Sequence, residues 1–281
     1  NLRHDLQLSE KTLLTVSGSY IKYNTQTAGS VDSLQYFQRK YVSNNSFTFR
    51  DVYAFRARAT VDHKWNDKSA FTATVFYRDN PIGQFPSYAI KKDNGNPAKA
   101  HGQINENSLN SYGAVFQHTQ KFDWLKAKLV AGITIDYSPN KYWANYALIN
   151  RDPATGFMGS YENRPDSMLT DYNAKLLNTA AYAQLQFSPT EKLNVVIGAR
   201  YDRIDFDYDN HLPPSAFSGA PDEKNGFNNF SPKIGATYEI NRYLGVYVNY
   251  SRGFSPPTVN QLYSGVKVPV LKPAYFNNYE T

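Results

Sequence analysis

The sequence predicts an all-β chain, an antiparallel transmembrane β-barrel. Three observations carry this. Apolar and polar residues alternate with a period of two in segment after segment, the mark of strands whose two faces meet unlike surroundings. The connections between these segments are short and long by turns. Aromatic residues make up 15% of the chain, with 23 Tyr and 17 Phe, which suits the interfacial girdles of a membrane barrel.

Composition agrees with this reading. Mean hydropathy is −0.59 and 19% of residues are charged. No apolar run approaches the ~18 residues of a membrane helix, so neither such a helix nor a signal peptide is read. A barrel strand, however, crosses with about 9–11 residues, of which only alternate ones face lipid. Cysteine is absent, which removes disulfides, thiolate metal sites and cysteine nucleophiles together. The formal charge of +6 is a modest basic surplus, compatible with nucleic acid or with an anionic small ligand.

In chain order, Leu2, His4, Leu6 and Leu8 alternate with Arg3, Asp5 and Gln7, and Ser9-Glu10-Lys11 turns the chain. Leu14, Val16, Gly18 and Tyr20 form the apolar face of the return strand. Residues 24–51 read as loop. Tyr53, Phe55, Ala57, Ala59 and Val61 then oppose Arg56, Arg58, Thr60, Asp62 and Lys64, with a turn at Trp65-Asn66-Asp67-Lys68. The next strand carries Phe71, Ala73, Val75 and Tyr77, and 79–110 reads as loop. Tyr112, Ala114 and Phe116 lead to a turn at Phe122-Asp123-Trp124-Leu125, and Ala127, Leu129, Ala131, Ile133, Ile135 and Tyr137 return. Residues 138–175 read as the longest loop. Thr179, Ala181, Ala183, Leu185 and Phe187 face outward opposite Asn178, Tyr182, Gln184 and Gln186, and Ser188-Pro189-Thr190-Glu191 turns the chain.

The clearest alternation follows. Leu193, Val195, Ile197, Ala199 and Tyr201 oppose Asn194, Val196, Gly198, Arg200 and Asp202; Phe230, Pro232, Ile234, Ala236, Tyr238 and Ile240 oppose Ser231, Lys233, Gly235, Thr237 and Glu239; a further strand runs from Leu244 to Tyr250. Structureless connections of roughly 20–40 residues argue against a compact soluble domain. A β-sandwich or propeller would scatter its loop lengths, whereas short turns at one end and long loops at the other describe an outer-membrane barrel.

The segments LNVVIGARYD (193–202), FSPKIGATYEI (230–240), LGVYVNYSRGFSPPTVNQLY (244–263) and LKPAYFNNYE (271–280) resemble consecutive barrel signatures of TonB-dependent outer-membrane receptors. FYRDNPIGQFPSY (76–88) is similar to iron-complex receptors of the Bacteroidetes type. Ala274 stands where an acidic residue is usual after the Lys-Pro pair. The resemblance implies a receptor, not an enzyme, in the bacterial outer membrane. It would import a ferric siderophore or ferric citrate without covalent chemistry or a cofactor, with cobalamin or oligosaccharide as other cargoes and a passive porin or an adhesin as other classes. Implied partners are the TonB–ExbB–ExbD complex acting through a plug, the chelate and outer-membrane lipid, with no nucleic acid. The strands number about ten plus a stub, against about 22 in the family's barrels. The whole chain, 1–281, is therefore expected to be part of one barrel domain, lacking the plug, the TonB box and the closing strands.

Candidate site residues follow from these faces. Arg56, Arg58, Lys64, Lys126, Lys128 and Arg200 share the inward face, where they guide an anionic ligand or pair with plug carboxylates. Inward Gly113, Gly132, Gly198, Gly235 and Gly245 allow a plug to approach closely, or mark kinks in the wall. Tyr36, Phe37, Arg39, Tyr41, Tyr142, Trp143, Tyr146 and Arg151 lie on long loops, where rings and guanidinium groups grip a flat chelate. Of these, Tyr36, Arg39, Tyr142, Trp143, Arg151, Arg56 and Arg58 form the expected ligand set. Asp205, Asp207 and Asp209 have the i, i+2, i+4 spacing of a calcium loop but lack its Gly and distal Glu, so a solvated acidic edge competes with a Ca²⁺ site. The five His are scattered without an i, i+4 pair. No G-x-S-x-G, P-loop or G-x-G-x-x-G occurs, and no catalytic residue is assigned.

Overall fold

The computed structural model describes residues 1–27, 29, 31 and 33–281. In chain order the elements are β1 (Leu2–Ser9), β2 (Thr12–Gln26), α1 (Ser33–Phe37), β3 (Phe49–Asn66), β4 (Ser69–Asp79), β5 (Ile82–Phe85), β6 (Lys91–Lys92), β7 (Lys99–Lys121), β8 (Lys128–Arg151), β9 (Met158–Thr190), β10 (Leu193–Asn210), β11 (Glu223–Asn241), β12 (Leu244–Ser255), α2 (Val259–Tyr263) and β13 (Ala274–Glu280). All long strands join one antiparallel sheet in the order β1-β2-β3-β4-β7-β8-β9-β10-β11-β12-β13, while β5 and β6 pair at its upper side. Among the described residues β1 and β13 are the two edges. No helix among them is long and apolar enough to cross a membrane.

Register makes the faces continuous across strands. Leu6, Leu14, Val61, Ala73, Phe116, Ile133, Ala181, Tyr201 and Phe230 are successive cross-strand partners. One slip of a residue would turn this row inward. The row is apolar yet open to the surroundings: Ile133 is 56% and Ile234, on the same face, 53% exposed. A sandwich core would cover such a face, whereas lipid leaves it bare of protein. Tyr20, Tyr77, Tyr112, Tyr137 and Tyr201 rim the upper side of the belt, with Trp65, Trp124 and Tyr243 exposed toward the short turns.

Strands overrun the belt, and here the structure corrects the sequence reading. Residues 138–175 are not a loop. They form the upper halves of β8 and β9, a ladder closed by a turn at 152–157. Residues 79–110 likewise hold β5, β6 and the first half of β7. Above the belt neither face meets lipid, so side chains lose their alternation while backbone pairing continues. Two apolar clusters hold this upper part on opposite faces of the sheet. Phe85, Ala100, Ala147, Ile149 and Met158 pack on the outer face, and Ile204, Phe206, Tyr208, Leu262 and Tyr263 on the inner one.

The two faces set unequal tolerances. Val195→Arg or Ile133→Arg should destabilise the intact protein by about 2–4 kcal/mol, the cost of a basic residue at the bilayer midplane, whereas Gln184→Arg on the inner face should cost much less. Equilibrium folding of the three variants into liposomes checks this.

Candidate functional site

The inner face carries two groups of residues that bear on ligand binding. The lower is basic. Arg58 lies opposite Phe76, and Arg56 opposite Arg78, so two basic residues stand in register across β3 and β4, a pairing of like charges. Arg78 is neutralised: it pairs with Asp136 and donates to Ser111 Oγ at 2.7 Å. Ser111 in turn donates to Asp136 at 2.8 Å. Arg56 and Arg58 have no carboxylate partner among the described residues. Together with Ser17, Ser19 and Phe76 they line a cavity of about 470 Å³. Farther round the wall, Arg200 pairs at 2.8 Å with the buried Asp202 and lies over the Tyr182 ring.

The upper group is aromatic. Tyr142 stacks on Tyr172 with ring centroids 5.4 Å apart, Tyr172 meets Tyr208 at 5.0 Å, and Tyr208 stacks on Tyr263 at 4.3 Å. Strands β8, β9 and β10 supply the first three rings and α2 the fourth. Thr258 caps α2 through a reciprocal pair with Gln261, and Tyr263 donates to Asn225 at 2.6 Å. The turn at 215–219 closes over the column. Gly219 has φ +98, and a Cβ there would stand 2.5 Å from the Tyr263 carbonyl oxygen, so only glycine lets the two segments meet. Burial pushes the Tyr208 and Tyr263 hydroxyls up to about 12, assisted by Asp222 for the first and Glu223 for the second. Burial also raises Tyr172. The phenols therefore remain protonated donors. The space they border, about 320 Å³, is completed by Asn107, Thr170, Phe217, Ser218, Asn260 and Ser264.

The structure divides the expected ligand set. Arg56 and Arg58 lie on the inner face, and Tyr142 stands in the aromatic column. Trp143, next to it, belongs to the outer face and is cross-strand to Glu106 and Asp171, because adjacent residues of a strand point to opposite sides. Arg151 ends β8, where Nη1 donates to the Pro97 carbonyl at 2.9 Å. Tyr36 is in α1, edge-on to Phe37 and Tyr41, and Arg39 follows with φ 54; both belong to the segment between β2 and β3. Tyr146 bonds His101. Lys126 lies in a turn with φ 50 rather than on a strand face. Asp205, Asp207 and Asp209 do share one face, but Asp205 pairs with Arg203 Nε at 2.8 Å and Asp207 with Lys224 at 3.3 Å, while Asp209 lies 3.7 Å from the His211 ring, which is nearer Asp171 at 3.2 Å. Among the described residues no group of three or more His, Asp or Glu is arranged to hold a metal ion.

Tyr172, Tyr208 and Tyr263 were not anticipated. Counting the ladder upward from the turn at 191–192 places Tyr208 opposite Ala174 and Asn210 opposite Tyr172, so the first two were within reach of register. Tyr263 was not, since its place depends on α2 folding back. The inward glycines also find an explanation within the wall. A Cβ on Gly113 would lie 2.1 Å from the Phe76 ring, and one on Gly132 2.5 Å from Tyr182, so these two make room for neighbouring side chains.

A family profile described as TonB dependent receptor-like, beta-barrel matches residues 2–281. The chain belongs to the TonB-dependent receptor β-barrel family. No curated protein sequence matches it. Among solved structures it is similar to the ferric citrate transporter FecA in its unliganded form, with TM-score 0.70, 12% identity, and 90% of this chain and 35% of that one covered. It is similar to the siderophore receptor PiuA from Acinetobacter baumannii, with TM-score 0.69, 15% identity and coverage of 98% and 45%. A third is the ferric yersiniabactin uptake receptor FyuA from Yersinia pestis, with TM-score 0.68, 12% identity and coverage of 96% and 39%. The chain thus spans less than half the length of each, and at such identity the likeness is one of fold. These relatives are transport receptors rather than enzymes, and the TonB-dependent barrel places the apolar belt in the outer membrane, with its short turns at the periplasmic end.

Gly219→Ala, which forces a left-handed φ on a residue with a Cβ, should cost about 1–3 kcal/mol locally and loosen the cover over the tyrosines. Limited proteolysis should then cut residues 211–222 and 256–273 faster than in wild type, while the belt strands remain protected.

Proposed function

We propose that this chain forms part of the wall of an active-transport receptor that binds a scarce ferric chelate, a siderophore or citrate, and imports it with energy delivered by TonB. The observation that carries the reading is the uncompensated pair Arg56 and Arg58 beside Arg78 on the inner face. Exposed cations inside a barrel attract an anion, and ferric chelates of carboxylate and catecholate type are anionic. Family membership supports the transport step, and the likeness to the ferric citrate transporter FecA, the siderophore receptor PiuA and the ferric yersiniabactin receptor FyuA supports iron as cargo. A plug inside the complete barrel is the part on which the TonB–ExbB–ExbD complex would pull, with outer-membrane lipid against the belt. Residues 1–281 are proposed to be one portion of that barrel domain.

Loops and inner face bind ligand without energy, whereas a plugged barrel needs work to release it inward. Cells carrying the full-length receptor should therefore take up ferric siderophore or ferric citrate only when the inner membrane is energised. Collapsing the proton gradient should abolish uptake while surface binding persists. Uptake that continues in de-energised cells would replace the receptor with a porin, and energised uptake confined to cobalamin or an oligosaccharide would keep the transport mechanism and overturn the iron cargo.

A further inference from the structure

The outer face changes character where β9, β10 and β11 leave the belt. Above the row of Ile133, Ala181, Tyr201 and Phe230, the next outward row is Ile135, Thr179, Arg203 and Asn228. Tyr137, Leu177, Asp205 and Gly226 follow, then Pro139, Lys175, Asp207 and Lys224. Apolar side chains on β8 thus give way, along the same rows, to charge on β10 and β11. Tyr137, Leu177 and the charged residues from Lys175 to Lys224 border an open groove of about 570 Å³. Its lower lip is the tyrosine rim, so the groove is continuous with the surface that lipid chains cover.

The groove holds a surplus of cations. Arg203 donates from Nε to Asp205 at 2.8 Å and from Nη1 to Asn228 at 3.2 Å, and Lys224 pairs with Asp207 at 3.3 Å. Lys175 is cross-strand to the same Asp207, yet it has no carboxylate within ion-pair distance among the described residues. A guanidinium and an ammonium each carry more N–H donors than these pairs consume. Gly226 shapes the site. A Cβ there would stand 2.6 Å from Arg203 Nη2 and 2.9 Å from Asp205 Oδ1, so bare backbone lets the Arg203–Asp205 pair lie against the wall and leaves the groove open. An anion at this height meets the donors beside hydrocarbon, where charge-assisted hydrogen bonds are strengthened by low dielectric.

We propose that this groove seats the phosphate headgroup of an outer-leaflet lipid whose acyl chains lie on the belt below. Lys175 supplies the uncommitted charge, Arg203 and Lys224 the flanking donors, and Tyr137 and Leu177 the surface along which the chains enter the bilayer. Position selects a lipid over a soluble phosphate. Headgroup and chains of one molecule contact groove and belt together, so the second contact forms at high effective concentration. The inference uses the membrane placement of the belt and not the identity of the cargo, so it stands or falls apart from the iron reading.

The test uses the full-length receptor purified in detergent, with bound lipid followed by native mass spectrometry during titration. The probes are lipid A bearing its phosphates and the same lipid dephosphorylated. Wild type should hold the phosphorylated lipid about tenfold more tightly. Lys175→Gln with Lys224→Gln should abolish that preference by weakening the phosphorylated lipid alone, and Lys175→Arg with Lys224→Arg should keep most of it, which separates loss of the site from loss of the fold. Lys22→Gln, which removes a cation on the outer face of β2 opposite Tyr53, should change neither lipid. Equal affinity of wild type for the two lipids would overturn the groove as a headgroup site. Weakening by Lys22→Gln as large as that by the double variant would do the same, since it would reduce the effect to diffuse attraction. Loss of the preference in millimolar inorganic phosphate at constant ionic strength would assign the groove to a soluble anion and overturn the lipid.

Discussion

A backbone amide in hydrocarbon has no water to bond, so each strand of this chain depends on its two neighbours for its N–H and C=O groups. That requirement explains the unbroken antiparallel order from β1 to β13 and the absence of helical spans among the described residues. It also explains why the register is strict. Once Ile133 must face lipid, its partners Phe116 and Ala181 must face lipid too. The belt is therefore one property of the sheet rather than the sum of separate strand preferences.

The same constraint frees the inner face. Residues there need only satisfy one another or water, so arginines, aspartates and serines accumulate and pair, as Arg78 does with Asp136 and Arg200 with Asp202. Where pairing is incomplete, at Arg56 and Arg58, charge is left for something else to meet. Above the belt the logic changes again. No lipid presses on the outer face, so apolar side chains gather wherever protein covers them: Phe85 and Ile149 outside, Phe206 and Tyr208 inside. The tyrosine column belongs to this upper zone. Its order comes from packing against α2 and from the glycine that lets the 215–219 turn approach.

Within the belt, fold and faces were legible in the sequence because lipid on one side and polar lumen on the other impose a period of two. The alternation from Leu193 to Tyr201 predicted which residues of β10 are exposed and apolar. Arg56 and Arg58 were placed on the inner face by the same parity. Outside the belt the pattern has no such author: 138–175, rich in Tyr and Asn, read as loop because neither face there is uniformly apolar, yet its backbone extends the β8–β9 ladder. Tyr142 and Trp143 were grouped as loop aromatics for the same reason, and a strand separates them onto opposite faces.

By itself, then, the sequence determined the strand type, the belt, the inward parity of Arg56 and Arg58 and the family, since each is written in local order and short-range parity. Only the tertiary structure decided that the upper hairpins are strands, that Asp205 and Asp207 pair with Arg203 and Lys224 rather than with one shared ion, and that Tyr263 closes a column begun by Tyr142. Those outcomes depend on contacts between segments far apart in the chain, where the free energy comes from which surfaces meet, and no periodicity records that.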